Sequence, residues 1–465
     1  MRKNRARLNY STLPLFLFIV VYVFFILQYR TLAHSDRLIF SLSVFSSLAI
    51  FIYEITIIKR WQGGLFNPII IFLVSFYLFQ NGQLLLMALG IDTFNFITAS
   101  LQEYDTDVAV FSSISNVIAG YAAVLISSKR SLIKYNKQTS LNDASIYRGM
   151  LPLWFVSLFI SYILLYLRLR YFLIGGYYSV RGFESSIPTI VGIFDYYYYP
   201  ASLLVIIYGK QSSFSKYSFW LLLLWSGIIA FCGNRTTGLA GILILFYIRF
   251  FCLSRHGAGE QINLLKKYLA LIAAGFLLVI ASSFIADYRV GRDSEPTSNS
   301  LLSFVTETGG SVTTLYTTMD VVPKSEPYQY MGYFYSAVSG FLPSFLDITG
   351  IVNYAYEKSR YNEQWHDKYF SQYEWGLGFS LNSEAFANWG WMGLLAIFLV
   401  CMIIFYFLRY NHLNYNNKFQ IYVSCALLFS WITLPRRDTY YLWNALFYTV
   451  FVIHIYISLL RKNKS

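Results

Sequence analysis

The sequence predicts an all-α, polytopic integral membrane protein of about twelve spanning helices. Of its 465 residues, 56% are hydrophobic and only 13% are charged, and the mean hydropathy is +0.48. A water-soluble domain of this composition would expose large apolar patches. The apolar runs are continuous, as in LPLFLFIVVYVFFILQ and LLAIFLVCMIIFYFL. Because the strands of a transmembrane β-barrel alternate apolar with polar residues, these runs predict helices.

Each predicted span is a charge-poor run close to the roughly 20 residues that a helix needs to cross the hydrocarbon layer. The predicted spans are residues 13–28, 38–58, 66–91, 107–126, 151–173, 187–208, 217–232, 238–253, 268–286, 385–408, 419–434 and 440–460. With a cytoplasmic N-terminus, Lys and Arg collect at the predicted cytoplasmic turns, as the positive-inside rule requires. Both termini are therefore predicted to be cytoplasmic. The same sidedness explains the net charge of +13, so no nucleic-acid partner is predicted.

A large loop of about a hundred residues follows the ninth span, and it is predicted to lie on the far side of the membrane. The predicted organisation is residues 1–286 with the first nine spans, residues 287–384 as the large loop with short amphipathic or re-entrant segments, and residues 385–465 with the last three spans and a cytoplasmic tail. The loop segment 328–349 is apolar and aromatic, but Gly340 and Pro343 interrupt it. We therefore expect it to lie at the membrane surface or to re-enter the membrane. If it spans instead, the C-terminus moves to the far side.

Several arginines lie at the outer ends of the predicted spans, where the positive-inside rule does not account for them. They are Arg168, Arg170, Arg181, Arg235, Arg289, Arg292, Arg360, Arg436 and Arg437. A guanidinium binds phosphate oxygens in pairs and stays charged at any biological pH. The set therefore predicts a diphosphate ligand. The alternative for any single member is contact with lipid headgroups, or pairing with an acid such as Asp293 or Asp438.

Three short turns carry the most informative of these arginines. Arg235 lies in GNRTTG, a hairpin too short for anything but a tight turn between two helices. Arg289 and Arg292 lie in YRVGR, directly after the ninth span, and Arg436 and Arg437 lie in PRRD, between the last two spans. We expect the three turns to point their bases at one pocket.

Two titratable residues are candidates for moving a substrate proton. Glu384 lies in WGLGFSLNSEAFANWGWMG, where the large loop re-enters the membrane, and is a candidate general base. Its alternative is a first-turn acid favoured by the helix dipole. His366, in NEQWHDKYF, is the only histidine of the large loop, and its alternative is a solvated surface residue.

Other motifs point to no metal and no cofactor. Asp105 and Asp107 form a DxD pair, a spacing by which some glycosyltransferases hold a metal ion and a diphosphate, but N-capping of the fourth span explains them more simply. The sequence contains no GxxxxGK, GxSxG or HExxH motif, so ATP hydrolysis, serine hydrolysis and zinc proteolysis have no support. Neither a metal site nor a cofactor is predicted.

Two segments carry a resemblance to a known family. GNRTTGLAGILILF places an arginine among small residues before an aliphatic helix, and GLGFSLNSEAFANWGWMG follows the large loop with G-x-GFS, an acid and N-aromatic-G. Both resemble segments of the Wzy family of bacterial O-antigen or oligosaccharide repeat-unit polymerases, and the number of spans and the loop position agree over the whole chain. The resemblance implies a glycosyltransferase C-like membrane fold. It also implies an inner-membrane enzyme that joins repeat units carried on undecaprenyl diphosphate at the periplasmic face.

The resemblance also implies roles for particular residues. The implied catalytic residues are Glu384, Arg235 and His366; the implied diphosphate ligands are Arg235, Arg289, Arg292, Arg436 and Arg437; the implied sugar-stacking residues are Trp365, Tyr369, Tyr373 and Trp375. The implied partners are the lipid-linked donor and acceptor, membrane lipid and a chain-length regulator of the polysaccharide.

Three other functions remain open at this point. An O-antigen ligase uses the same donor, but ligases carry a loop histidine followed by Asn or Ser and then Leu, whereas Asp367 and Lys368 follow His366 here. A flippase for lipid-linked oligosaccharides needs ionisable residues within its helices. The few candidates for such residues are Glu54, Asp195 and Arg249. A noncatalytic scaffold would leave the outer arginines without a role.

Overall fold

The fold is helical throughout the part of the chain that the structure, a computed structural model, describes. The described residues are 3–30, 37–62, 65–91, 105–128, 140–209, 212–249, 300–342, 350–359, 364–365, 368–369, 379–409 and 418–462. They contain no strand. The helices are α1 Lys3–Arg30, α2 Arg37–Gln62, α3 Pro68–Ala88, α4 Thr106–Ser128, α5 Ser140–Ser185, α6 Thr189–Tyr208, α7 Ser213–Phe231, α8 Arg235–Tyr247, α9 Ser300–Gly309, α10 Val312–Val321, α11 Gly332–Phe341, α12 Ile351–Ser359, α13 Leu381–Trp389, α14 Gly393–Leu408, α15 Lys418–Trp431, α16 Tyr440–Ala445 and α17 Ile453–Lys462. A π-helical stretch, Leu446–Val452, joins the last two.

Eight helical stretches among the described residues are long and apolar enough to cross a membrane. They are Arg37–Trp61, Pro68–Ala88, Thr106–Ser128, Asp143–Gly176, Thr189–Tyr208, Ser213–Phe231, Leu381–Leu408 and Tyr440–Leu460. They correspond to the second to seventh, the tenth and the twelfth predicted spans. The prediction of an all-helical polytopic membrane protein is therefore confirmed.

Four predicted spans have no counterpart among these eight stretches, so the total of about twelve spans stays a prediction. The first and eighth correspond to the shorter apolar helices Pro14–Gln28 and Thr236–Tyr247. The eleventh corresponds to α15, which has 14 residues. The ninth, residues 268–286, lies outside the described residues.

Local chemistry explains several helix boundaries. Asn67 caps α3 by accepting a hydrogen bond from the Ile70 N–H at 3.0 Å, and Pro68 occupies the first helical position. Asp105 Oδ1 accepts hydrogen bonds from the N–H groups of Asp107 (2.9 Å) and Val108 (3.1 Å). The predicted N-capping of the fourth span is thus confirmed.

The chain divides into two compact units. Unit 1 comprises Met1–Ser131, Val305–Asn411 and Trp431–Phe447, and unit 2 comprises Leu132–Phe304, His412–Ser430 and Tyr448–Ser465. In unit 1, α4 is almost wholly buried and packs against α2, α3 and α14. In unit 2, α5 packs against α6, and α7 packs against α6 and α8. The predicted division at residues 286 and 384 stays a prediction.

The large loop contains the short helices α9 to α12 among its described residues. The described part of the apolar segment 328–349, residues 328–342, contains α11, whose ten residues rise by about 15 Å, half the thickness of the hydrocarbon layer. Gly340 lies in the last turn of α11, which ends at Phe341, ahead of Pro343. A Cβ atom there would lie 2.8 Å from both the Trp443 Cβ and the Tyr440 carbonyl oxygen of α16. Gly340 therefore permits a close helix crossing, and Pro343 lies outside the described residues.

Candidate functional site

Helix α13, which carries Glu384, is short, buried and unusually polar. It begins after Ser380, whose Oγ accepts a hydrogen bond from the Ser383 N–H at 3.0 Å. It ends at Gly390, which has a φ of 55° that favours glycine. The side chains of Asn382, Ser383, Glu384 and Asn388 are completely buried. Buried polar groups need hydrogen-bond partners, so these side chains determine what surrounds the helix.

The Glu384 carboxylate joins three elements of unit 1. Its Oε2 accepts a hydrogen bond from the Thr439 N–H at 2.8 Å, and its Oε1 accepts from the Thr439 hydroxyl at 2.7 Å. The Ser336 hydroxyl of α11 donates to Oε1 at 3.3 Å. Asp438, itself 2% exposed, is close enough to interact electrostatically with Glu384. Glu384 thus links α13 to α11 and to the segment that precedes α16.

The other polar side chains of α13 bind further elements of unit 1. Asn382 Nδ2 donates to Ser115 Oγ of α4 at 2.9 Å, and Ser383 Oγ lies 2.9 Å from Thr314 Oγ1 of α10. Asn388 Oδ1 accepts from the Gly332 N–H of α11 at 2.8 Å. Sequence reasoning missed this role of the NSE segment. The available signal was a set of closely spaced polar residues between two apolar flanks.

Arg436 and Arg437 lie in a turn at residues 434–439, which we call the arginine turn. The turn begins with the 3₁₀ helix Leu434–Arg436 and ends where α16 begins. Both arginines are partly exposed, and the Arg437 guanidinium lies 4.4 Å from the ring centroid of Tyr441, a cation–π geometry. The turn therefore presents two fixed positive charges at a surface.

Other parts of unit 1 anchor the backbone of the arginine turn. Gln80 Nε2 of α3 donates to the Pro435 carbonyl at 2.6 Å, and the Phe379 N–H donates to the Arg436 carbonyl at 3.4 Å. The Ser75 hydroxyl of α3 donates to the carbonyl of Ile432, just before the turn. Each of these contacts spans hundreds or tens of residues in sequence, so no local pattern predicts them.

Two aromatic candidates of the large loop, Trp365 and Tyr369, lie in the described part of the chain, and they differ in burial. Trp365 is 5% exposed and forms a core cluster with Val322 and Phe379. Tyr369 is half-buried and donates to Glu326 Oε1 at 2.9 Å. The ion pair with Lys368 and this bond hold the pKa of Glu326 below its usual value. Trp365 is thus part of a buried cluster, while Tyr369 keeps part of its side chain exposed.

Several candidate residues lie outside the described residues. They are His366, Tyr373, Trp375, Arg289, Arg292 and Arg360. The expected convergence of three arginine-bearing turns on one pocket consequently stays a prediction.

Arg235 begins α8 after a tight turn in unit 2. We call residues 231–235 the arginine hairpin. Gly233, with a φ of 99°, donates to the Ala230 carbonyl at 3.2 Å, and the Asn234 N–H donates to the Ile229 carbonyl at 3.1 Å. The predicted tight turn is confirmed. The Arg235 side chain lies outside the described part of the chain.

Arg168, near the arginine hairpin, forms ion pairs with two acids. Its Nη2 lies 2.7 Å from Asp195 Oδ2 and its Nε lies 3.1 Å from Glu184 Oε1. Ser161 Oγ donates to Asp195 Oδ1 at 2.6 Å. Cys232 of the hairpin interacts electrostatically with Arg168. Ion pairing, the alternative interpretation for single arginines, therefore holds for Arg168, with acids other than those expected.

Glu54 and Arg249 have opposite environments. Glu54, in α2, is completely buried, and neither of its oxygens has a hydrogen-bond partner among the described residues. Its carboxylate fills the space that a side chain at Gly120 of α4 would occupy. Arg249 is exposed.

Comparison with known proteins gives one result. A family model described as O-antigen polysaccharide polymerase Wzy matches residues 11–464, nearly the whole chain. No curated protein and no solved structure matches the chain.

Proposed function

The chain belongs to the Wzy family of O-antigen polysaccharide polymerases, and from that premise we propose that it polymerises undecaprenyl-diphosphate-linked repeat units at the periplasmic face of the bacterial inner membrane. The family makes it a membrane-embedded enzyme of glycosyl transfer. The lipid carrier, the face of the membrane and the cytoplasmic termini belong to the proposal. The distribution of Lys and Arg along the sequence supports this orientation.

In the proposed reaction, a hydroxyl oxygen of the acceptor sugar attacks the anomeric carbon of the donor repeat unit. The bond between that carbon and the diphosphate oxygen breaks, and the lipid diphosphate leaves with the electron pair. The proton of the acceptor hydroxyl passes to water, and the products are the extended sugar chain and the free lipid diphosphate. Negative charge develops on the diphosphate, so donors already oriented toward it lower the barrier.

The observation that carries this proposal is the arginine turn. Its two partly exposed guanidinium groups, Arg436 and Arg437, stand on a backbone that is anchored in unit 1. Such groups bind diphosphate oxygens without a nucleotide or a metal. In unit 2, Arg235 begins the 13-residue helix α8, and N–H groups at a helix start also favour an anion. Arg289 and Arg292 remain further proposed ligands.

Contact with the sugars is proposed for the loop aromatics that keep an exposed face. Tyr369 packs at the edge of the Trp365 cluster but is only half-buried, so it is a better candidate than Trp365, which is buried against Phe379. Tyr373 and Trp375 remain proposals. A chain-length regulator is a proposed partner by family analogy alone.

The test is an assay with purified protein in liposomes and undecaprenyl-diphosphate repeat units. We expect a ladder of products that grows by one repeat unit. The double variant R436A/R437A should lower the rate by roughly 10²- to 10⁴-fold, since each charge-assisted bond contributes about 1.5–3 kcal/mol. R409A, an arginine at the end of α14, is the matched control. A wild-type protein that is folded but makes no ladder would overturn the proposal; transfer of single units to a lipid core would indicate a ligase.

A second candidate function, a flippase, is favoured by Glu54. An ionisable residue buried within a candidate membrane span without a partner is typical of transport pathways. Liposomes loaded with labelled lipid-linked repeat units would test it by exposure of the label to an external reagent. Transport that is lost in E54Q, without any ladder, would favour the flippase.

A further inference from the structure

We infer that Glu384 is a positioning residue that fixes the arginine turn, rather than the base that takes the acceptor's proton. The inference rests on the proposed function, because it assigns a task within that reaction.

The first argument is access. A general base must come within hydrogen-bond reach of the proton that it removes. The Glu384 side chain is completely buried, and protein groups donate to both of its oxygens at 2.7–3.3 Å. A sugar hydroxyl reaches this carboxylate only if those donors move away.

The second argument is where the donors come from. Thr439 is the last residue of the arginine turn, and it contributes both its N–H and its hydroxyl. Gln80 and Phe379 hold the carbonyl groups at the middle of the turn, at 2.6 and 3.4 Å. Glu384 therefore holds the end of the turn that leads into α16. With both portions anchored, the backbone between Pro435 and Thr439 has little freedom, and the arginines project from that stretch.

The third argument is that a second element, α11, also donates to the carboxylate. Ser336 of α11 donates to Glu384 Oε1, and Gly340 of the same helix lies against the Tyr440 carbonyl and Trp443 of α16. Glu384 is thus surrounded by α11, the arginine turn and its own helix. A carboxylate that accepts bonds from one helix of the large loop and from the turn before α16 serves as a joint between them.

Small displacements at such a joint have large kinetic effects. A shift of about 1 Å in a substrate-binding group costs about 100-fold in rate. Loss of the joint should therefore weaken diphosphate binding by the arginines, and should do little once the arginines are gone.

A double-mutant cycle tests this. We would measure kcat and the donor KM in the ladder assay for E384Q, R436A/R437A and the triple variant. If Glu384 acts through the arginines, E384Q lowers kcat/KM by about 10- to 100-fold in the wild-type background, mainly through KM, and by less than about 3-fold in the R436A/R437A background. The acid limb of the pH–rate profile stays in place in E384Q. E357Q, an exposed acid of the same loop, is the matched control.

The inference would be overturned if the effects of E384Q and R436A/R437A on kcat/KM multiply, and if E384Q lowers kcat and removes the acid limb of the pH–rate profile. Those results would establish Glu384 as the base. If E384Q does not fold, T439V and T439S decide: T439V removes one donor and leaves the carboxylate, and T439S keeps the donor. Positioning requires T439V to raise the donor KM and T439S to restore it; a wild-type rate for T439V contradicts it. A wild-type protein that makes no ladder contradicts the proposed function itself, which is a separate outcome.

Discussion

The arginine turn of unit 1 and the arginine hairpin of unit 2 are both short segments between two helices, but different contacts hold them in place. The arginine turn is held by side chains from distant segments, above all Gln80 and Glu384. The hairpin is held by its own backbone bonds and by close packing of α7 on α8 through Gly238.

The surroundings of the two sites also differ in charge. The arginine turn contains the buried carboxylate of Asp438 and is bonded to that of Glu384, and its guanidinium groups remain partly exposed. Near the hairpin, Arg168 is buried and committed to Asp195 and Glu184. Removing one bond of the network around the arginine turn should therefore cost little free energy of unfolding. Breaking the buried ion pair or the close glycine contact near the hairpin should cost more. The variants below test that difference by the free energy of unfolding.

The largest effect is expected for D195N in unit 2. It leaves Arg168 buried with Glu184 as its remaining acid among the described residues, and breaking a buried ion pair costs roughly 3 kcal/mol or more. Thermal unfolding in detergent would measure it. E184Q, at the more exposed partner (36% against 12% for the Asp195 side chain), is the control and should cost clearly less. Equal losses in the two variants would contradict the assigned geometry.

The next effect is expected for G238V in the helix that follows the hairpin. A Cβ there would collide with the Ser226 carbonyl and lie 2.5 Å from the Ala230 backbone N, so the two helices must separate. Overpacking of this kind costs about 1–3 kcal/mol. G227V, on α7, is the matched control, because no heavy atom of the described residues lies within 4 Å of the Cβ position there. If both variants unfold alike, close packing does not hold the hairpin.

A smaller effect is expected for N388A in unit 1. It removes the acceptor for the Gly332 N–H and the donor to the Glu384 carbonyl, and leaves both groups buried, at a cost of about 1–2 kcal/mol. N388D keeps the acceptor, but it buries a carboxylate and points an oxygen instead of a donor at the Glu384 carbonyl, so it should lose at least as much as N388A. The same ranking should appear in donor KM. Full activity of N388A would show that the contact between Asn388 and α11 does not help to hold the arginine turn.

The smallest loss of stability is expected for Q80L. It removes a single donor to the Pro435 carbonyl, which costs about 1 kcal/mol. Because this bond anchors the arginine turn, the donor KM should rise by more than the stability loss alone explains. Loss of stability with an unchanged KM would show that the turn is held without α3.

Comparison of the expected and observed site shows which signals are local. Asp105 and GNRTTG were interpreted correctly, because capping and tight turns depend on residues within a few positions. Local signals did not identify the partners of Arg168 and Trp365, since Arg168 pairs with Asp195 and Trp365 packs on Phe379. Which polar group meets an arginine depends on helices that are distant in sequence.

The sequence by itself determined the membrane class, the position of most spans and the family, because hydropathy, charge sidedness and short motifs are properties of contiguous residues. Only the tertiary structure decided what the polar residues of α13 do. Glu384 meets Thr439, which lies 55 positions further along the chain, and Asn382 meets Ser115, 267 positions earlier. A buried polar group takes its partner from whatever helix packs against it, and that packing depends on the whole unit.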